Sequence, residues 1–421
     1  MSQLRAMQDE ASEKGRLQVN VVSSVTAFPV TNALISISYT GIPENTLETL
    51  TTDASGQTET VELAAPPEEG SLDRNNERQP YSEYTLDISA PGYEPVSISG
   101  AEILANTKAI QNVRMRPSDN GQEEEEVFVI PAHTLYGDYP PKIAEEEIKP
   151  TNETGEIVLS RVVIPEYIVV HDGSPRDSTA KNYYVKYKDY IKNVASSEIY
   201  ATWPANTIRA NVLAIMSFTL NRVYTEWYRN KGYDFTITSS TAFDHKWIPE
   251  RNVYESISVI VDELFSNYLS RPNVRQPILT QYCDGRRVSC PDWMTQWGSK
   301  ELGDKGLSPI EILRYYYGDD MYINTAQEIS GIPASWPGYN LEQGARGDKV
   351  RQMQEEINVI AGAYPAIPKI SVDGIYGPAT AAAVEKIQSV FGLPVTGITD
   401  YKTWYKISEI YVGVSRIAEL T

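Results

Sequence analysis

The 421-residue chain is predicted to be multi-domain: an all-β sandwich, then a mixed α/β block, then a small three-helix block. Three observations predict this order. Apolar and polar residues alternate with a period of two through the N-terminal part, and no helical period longer than two turns interrupts them. Separate stretches with a 3.6-residue period then appear among shorter apolar runs. The last block has helical periodicity throughout and internal similarity between its halves. The length suits two to four domains, and a hydrophobic content of 41% supplies their cores and excludes wholesale disorder.

Residues 1–16 have no apolar run and read as a flexible N-terminus with no signal peptide visible. Residues 17–117 read as the sandwich. Leu17, Val19 and Val21 alternate with polar residues, as do Ile35, Ile37 and Tyr39, and Thr58–Leu63 and Tyr84–Ile88 repeat the period. Asp53–Gly56 and Pro91–Tyr93 supply turns. Residues 66–80 are polar and read as a long loop.

Residues 118–160 form an acidic, proline-rich linker. The four acids Glu123–Glu126 repel one another and should be solvated. The rest of this segment can wrap over the next domain as an extended arm. Residues 161–326 form the α/β block. A helix is expected from Asn206 to about Tyr228, with Asn206 as its cap and Ile208, Val212, Ile215 and Thr219 on one face. A second is expected over Val253–Leu269, with Ile257, Ile260, Leu264 and Tyr268 on its apolar face. A third begins at the capping box Ser308–Glu311, has proline at its first position, and stops at Gly318. Residues 327–343 read as a linker, and residues 344–421 as the helical block. There Val350, Met353, Ile357 and Ile360 share one helix face, and Thr380, Val384, Ile387 and Phe391 another.

Charge narrows the function. With 37 Lys plus Arg against 56 Asp plus Glu, the net charge is -19, which argues against a nucleic-acid partner. No run of about 18 apolar residues occurs, so no membrane insertion is expected. Two cysteines exclude a disulfide-rich scaffold. No phosphate-binding glycine loop, HExxH motif or nucleophile elbow is present. His133 and His171 lie outside any metal-like or triad-like grouping.

The segment Asp373-Gly374-Ile375-Tyr376-Gly377-Pro378-Ala379-Thr380, with Gln388 following, resembles the peptidoglycan-binding domain type 1. The resemblance implies peptidoglycan as partner, with Asp373, Gly374, Tyr376, Gly377 and Thr380 marking the module. Read as residues alone, the Asp-Gly pair makes a turn, Pro378 starts a helix and Gly377 relieves crowding. The order Phe28–Ala33, Thr51–Gly56 and Ala90–Tyr93 resembles a carboxypeptidase regulatory-like sandwich, a module that carries no chemistry and can meet a protein partner.

The α/β block resembles the SpoIID/LytB family, sporulation stage II protein D, through two segments. One is Tyr190–Ile199 continued by Trp203-Pro204 and the following helix. The other is Trp293–Ser299 with Gly306, Ser308 and Ile312–Gly318. The resemblance implies a lytic transglycosylase acting on peptidoglycan glycan strands, with Glu198 as its general acid/base. One carboxyl suffices because the sugar's own hydroxyl is the nucleophile, whereas hydrolysis needs a carboxylate pair. Read without the resemblance, Glu198 is an exposed acid near a helix start, favoured by the dipole. Tyr282, Thr295, Gln296 and Trp297 are the substrate-binding candidates by the same resemblance. Amides and hydroxyls suit sugar hydroxyls, and Trp293 or Trp297 can stack on a pyranose face.

Some members of that family hold zinc near the position of Cys283 and Cys290, and His245 is the candidate third ligand. For these two cysteines zinc, a local disulfide and free thiols all stand open. The chain departs from the family where Asp284-Gly285-Arg286-Arg287 replaces a Gly-Gly-Arg-Thr stretch and where Trp293 replaces a glycine. The expected function is peptidoglycan binding and cell-wall remodelling. The rival is a non-catalytic wall- or spore-associated protein on a degenerate scaffold. The expected location is the cell wall or spore envelope, reached by lysis, by synthesis in a mother cell or in a phage-like particle.

Overall fold

A computed structural model describes residues 12–118, 124–149, 159–333 and 335–415. Much of the segment expected to be a flexible N-terminus, residues 119–123 and 150–158 of the acidic linker, and the last six residues of the helical block lie outside the described residues.

The N-terminal block contains strands β1 (Glu13–Ser23), β2 (Leu34–Tyr39), β3 (Thr46–Thr51), β4 (Val61–Ala65), β5 (Ser82–Ser89), β6 (Val96–Ile103), β7 (Lys108–Met115) and β8 (Glu126–Val129). Strand β1 pairs parallel with β7 and antiparallel with β4. The other sheet has the order β3-β2-β5-β6-β8. Leu17, Val19 and Val21 on β1 and Ile35 and Ile37 on β2 are buried in one shared core. The alternation seen in the sequence is thus the in–out alternation of pleated strands.

Three sequence expectations change here. β1 begins at Glu13, so the ordered block starts earlier than residue 17. The acidic run reaches into a strand: Glu126 opens β8, which joins β6 in parallel. The polar loop 66–80 contains a helical turn, α1 (Glu69–Leu72), and Ser71 and Asn76 of this loop bond to Trp203 and Arg286 of the next block.

The middle block contains α2 (Tyr187–Glu198), α3 (Ala205–Tyr224), α4 (Glu255–Leu264), α5 (Gln296–Asp304) and α6 (Pro309–Tyr317). In α3, Pro204 rather than Asn206 stands at the cap, and the Asn206 amide bonds the Leu307 carbonyl. The single helix expected over 253–269 is a strand, a helix and a strand. Val253–Tyr254 pairs with β7 of the N-terminal block, and Asn267–Ser270 pairs with Tyr322–Thr325. Between them α4 buries Ile257, Ile260 and Val261. The capping box at Ser308 and Glu311 forms, and Gly318 ends α6 in a left-handed conformation, φ 90°. Part of the expected linker 327–343 is ordered, because Glu328–Ile329 pairs with Val163–Ile164.

The C-terminal block is α7 (Asp348–Ala363), α8 (Pro378–Val390) and α9 (Tyr401–Ser415). Two buried glutamines hold it together in the same way. Gln354 accepts the N–H groups of Asp373 and Gly374 and donates to Asp373 Oδ1, the Ile375 carbonyl and Thr380 Oγ1. Gln388 accepts from Thr396 and Gly397 and donates to Thr396 Oγ1, the Ile398 carbonyl and Thr403 Oγ1. Each clamped turn has a glycine at positive φ, 72° at Gly374 and 67° at Gly397, which a Cβ would strain. This repeated clamp is the physical content of the internal similarity.

The blocks are joined by polar contacts. On the side of the N-terminal block, the buried Glu102 at the end of β6 pairs with the buried Arg251 at 2.6 Å. Arg251 also donates to the carbonyl of Ser196 on α2 at 2.7 Å. On the C-terminal side, Asp262 of α4 meets Lys188 and Lys192 of α2, at 3.2 and 2.8 Å, and Lys406 of α9 at 3.9 Å. Burial works against the Asp262 charge, but Lys192, Lys406 and Lys188 hold the carboxyl well below its ordinary range. Glu409 of α9 reaches Lys188 at 2.5 Å. Gln57 and Tyr364 link the C-terminal block to the sandwich, through the carbonyls of Val390 and Ala27.

Candidate functional site

Glu198 is the last residue of α2, not an exposed acid at a helix start. Glu198 is only 3% exposed and lines a small open cleft of about 60 Å³. Its Oε1 accepts the Lys246 backbone N–H at 2.7 Å, and its Oε2 accepts the Tyr282 hydroxyl. Burial raises the Glu198 pKa, opposed by Lys142, the Lys246 N–H and the Tyr282 hydroxyl. The helix end acts in the same direction as burial, because the negative pole of the dipole disfavours a carboxylate there.

Five segments line the cleft, two of them through Thr241 in the loop before His245 and Gln296 at the start of α5. The end of α2 supplies Glu198. The arm between the sandwich and the middle block supplies Thr134, Tyr139, Pro140 and Lys142. The disulfide loop supplies Cys283, Asp284, Arg287 and Val288. The arm is pinned along its length. Thr134 bonds the Ser197 carbonyl through both its N–H and its hydroxyl. Ile143 donates to the Ala242 carbonyl at 2.7 Å, and the side chain of Gln281 bonds the backbone of Ile143 and Glu145. Gly100 makes room for it: a Cβ there would lie 2.6 Å from the Ile130 carbonyl oxygen.

The substrate-binding candidates fare differently. Tyr282 and Gln296 both reach Glu198, the first at its carboxylate and the second through its amide to the Glu198 main-chain carbonyl at 2.9 Å. Thr295 faces Tyr316, with 3.3 Å between the hydroxyls. Trp297 is a correction. It is buried against Trp203, with centroids 5.0 Å apart, and so belongs to the core instead of offering a face to a sugar.

The zinc set is also corrected. Cys283 and Cys290 are joined as a disulfide with their Cα atoms 6.0 Å apart, so neither sulfur is available as a thiolate ligand. The six residues between them fold over Asp284, whose carboxylate accepts the N–H groups of Arg287 and Val288, each at 2.8 Å. His245 is fully buried and shares a 3.0 Å hydrogen bond with the Tyr190 hydroxyl. Burial, then Lys142 and Arg222, hold it well below its ordinary pKa. Among the described residues no group of three or more His, Cys, Asp or Glu is placed to hold a metal, and no helix is long and apolar enough to cross a membrane.

In the helical block, Asp373, Gly374 and Thr380 are engaged by the Gln354 clamp. Tyr376 is buried, its hydroxyl donating to the Gly397 carbonyl at 2.8 Å. Gly377 caps α8. These residues hold the module's shape. Sequence reasoning missed Lys142, Tyr139 and Thr134. The only signal for them was the expectation that the arm wraps the next domain.

Residues 346–407 match the family model described as a putative peptidoglycan binding domain, so the C-terminal helical block is a peptidoglycan-binding-type module. Over 77 residues the chain is 40% identical to the zinc D-Ala-D-Ala carboxypeptidase of Streptomyces albus G, which covers 18% of this chain and 28% of that protein. Over 83 residues it is 41% identical to an uncharacterized protein in the bpoA1 3' region of Kitasatospora aureofaciens, covering 20% of this chain and 64% of that one. The chain thus spans less than two thirds of the length of either curated relative. Among solved structures, the SleB N-terminal domain is 27% identical with a TM-score of 0.16, covering 18% of this chain and 99% of that one. The Klebsiella pneumoniae 5-hydroxyisourate hydrolase is 19% identical with a TM-score of 0.17, covering 25% of this chain and 92% of that one.

Proposed function

We propose that this protein binds peptidoglycan through its C-terminal module and cleaves glycan strands as a lytic transglycosylase, with Glu198 as the general acid/base. The observation that carries the reading is the buried Glu198 carboxyl on a cleft wall, with its proton affinity raised by burial. In that state Glu198 keeps its proton to higher pH than an ordinary carboxyl does and can give it to the glycosidic oxygen. The C–O bond then breaks. A hydroxyl of the same sugar closes onto the anomeric carbon, and its proton passes to the carboxylate. The other carboxylate of the cleft, Asp284, is occupied by two N–H groups of its own turn, which suits chemistry that needs no second carboxylate. The SpoIID-like segments around Glu198 and Trp293–Ser299 support the same reading. Cell wall or spore envelope is the matching location.

A second reading is a non-catalytic wall-associated protein. It is favoured by the depth of Glu198, whose two oxygens already have partners. Product analysis separates the two. Incubation with purified glycan strands should release fragments with 1,6-anhydro ends, and Glu198→Gln should lower the rate by about 10²–10⁴-fold with an unchanged circular dichroism spectrum. Reducing ends would mean that water is the nucleophile. Absence of cleavage by the unaltered protein on any glycan would leave the binding protein.

A further inference from the structure

Lys142 stands apart from the buried charges around it, being itself only half-buried. Arg222 is matched by Asp244 at 2.7 Å and by Glu145 at 2.6 Å, and Glu145 also holds Lys149 at 2.6 Å. The Asp244 carboxylate is filled further by the Tyr228 hydroxyl and by the N–H and hydroxyl of Thr238. Lys142 donates to the main-chain carbonyl of Asp244; burial lowers its pKa, and the carboxylates of Glu198, Asp244 and Glu145 oppose that and favour its charged form. Its ammonium lies 5.1 Å from the centre of the Tyr282 ring and 5.0 Å from that of Phe218. The hydroxyl of that same Tyr282 is bonded to Glu198 Oε2. Lys142 and Glu198 both face the cleft.

We propose that Lys142 is the positioning residue of the Glu198 site, its charge stabilising the carboxylate left after proton donation and so setting the pH range in which Glu198 cycles. The inference rests on the reading of Glu198 as general acid/base. Several groups face this pair. Lys246 and Tyr282 face Glu198 from outside its helix, Tyr190 faces it from its own helix, and Tyr139 faces it from the arm. Asp244, Arg222, Glu145 and His245 surround Lys142. Among the groups opposing burial at Glu198, Lys142 acts most strongly. The division of labour is then clear. Burial favours the protonated form of Glu198, and Lys142 offsets part of that penalty for the carboxylate left after donation. Because Lys142 arrives on the arm, the segment joining the sandwich to the middle block contributes directly to the acid's chemistry.

The test is direct titration of Glu198 in the full chain labelled with ¹³C at glutamate carboxyls, its signal identified by loss in Glu198→Gln. Lys142→Met should raise the Glu198 midpoint by about one pH unit or more, and Lys142→Arg should stay near the unaltered protein. The pH profile of glycan cleavage should move in the same direction in Lys142→Met, with a lower maximum. An unshifted midpoint in folded Lys142→Met overturns the proposal. If that variant does not fold, Lys142→Gln, which keeps a donor for the Asp244 carbonyl, takes its place with the same expected direction. A shifted midpoint in a protein that cleaves no glycan sinks the general-acid reading and leaves the electrostatic coupling standing. Cleavage with no shift does the reverse.

Discussion

Glu198 sits where a carboxylate is disfavoured twice, by burial and by a helix C-terminus, and the sign of that effect can be measured. Below about pH 4.3 the carboxyl is protonated in the folded and unfolded chains alike and contributes nothing to stability. As pH rises, the unfolded chain loses this proton first, so stability falls until the raised folded pKa is passed, and the penalty is then constant. Glu198→Gln removes the titration. Its melting temperature relative to the unaltered protein should therefore climb between pH 4 and pH 8, and a constant difference across that range would mean that the carboxyl is not held protonated. The candidate itself was legible from its motif. Its setting was not, because the chain around it gave no sign that Tyr190–Glu198 is helical and ends there. Trp297 was misread for a plain reason: an indole that packs a core and one that stacks on a sugar have the same local sequence.

At the scale of elements, the sequence showed what periodicity can show. The capping box at Ser308 and the faces of α7 and α8 follow from spacing alone. Residues 253–269 failed because pairing decides them. Val253 and Tyr254 are taken up by a sandwich strand more than a hundred positions earlier, and Asn267–Ser270 by a strand over fifty positions later, and no local window contains either partner. The same long reach gives Arg251 its importance, since it ties Glu102 of β6 to the Ser196 carbonyl two residues before Glu198. Arg251→Met leaves Glu102 buried and unpaired and should cost about 3–5 kcal/mol in chemical denaturation. Pairing it with Glu102→Leu should recover most of that loss. If the single change costs under about 1 kcal/mol, the pair is not a dry one.

Across the whole molecule, the helical C-terminal module was readable from composition and period, but the way it is joined to the rest was not. Ion pairs and strand pairings between blocks use residues that look like ordinary surface positions when read in sequence. The peptidoglycan-binding-type module is the exception, since its clamped turns are local and repeat. Residues 344–421 expressed alone should sediment with purified peptidoglycan, and the chain lacking them should be retained less. A fragment that stays in the supernatant while residues 12–118 sediment would move the binding role to the sandwich.

The lysine and carboxylate cluster between α2, α4 and α9 has a kinetic meaning. A module on a slack leash samples many separations from its catalytic partner and raises local substrate concentration at all of them. A module fastened through Asp262 and Glu409 works as a caliper. If Glu198 cleaves glycan as proposed, the module holds one span between the gripping surface and the Glu198 cleft, and only polymer long enough to bridge that span would engage both ends. On glycan oligomers of increasing length, the cleavage rate should then rise in a step at one length. Asp262→Asn, which leaves Lys188, Lys192 and Lys406 facing Glu409 alone, should blur that step into a slope.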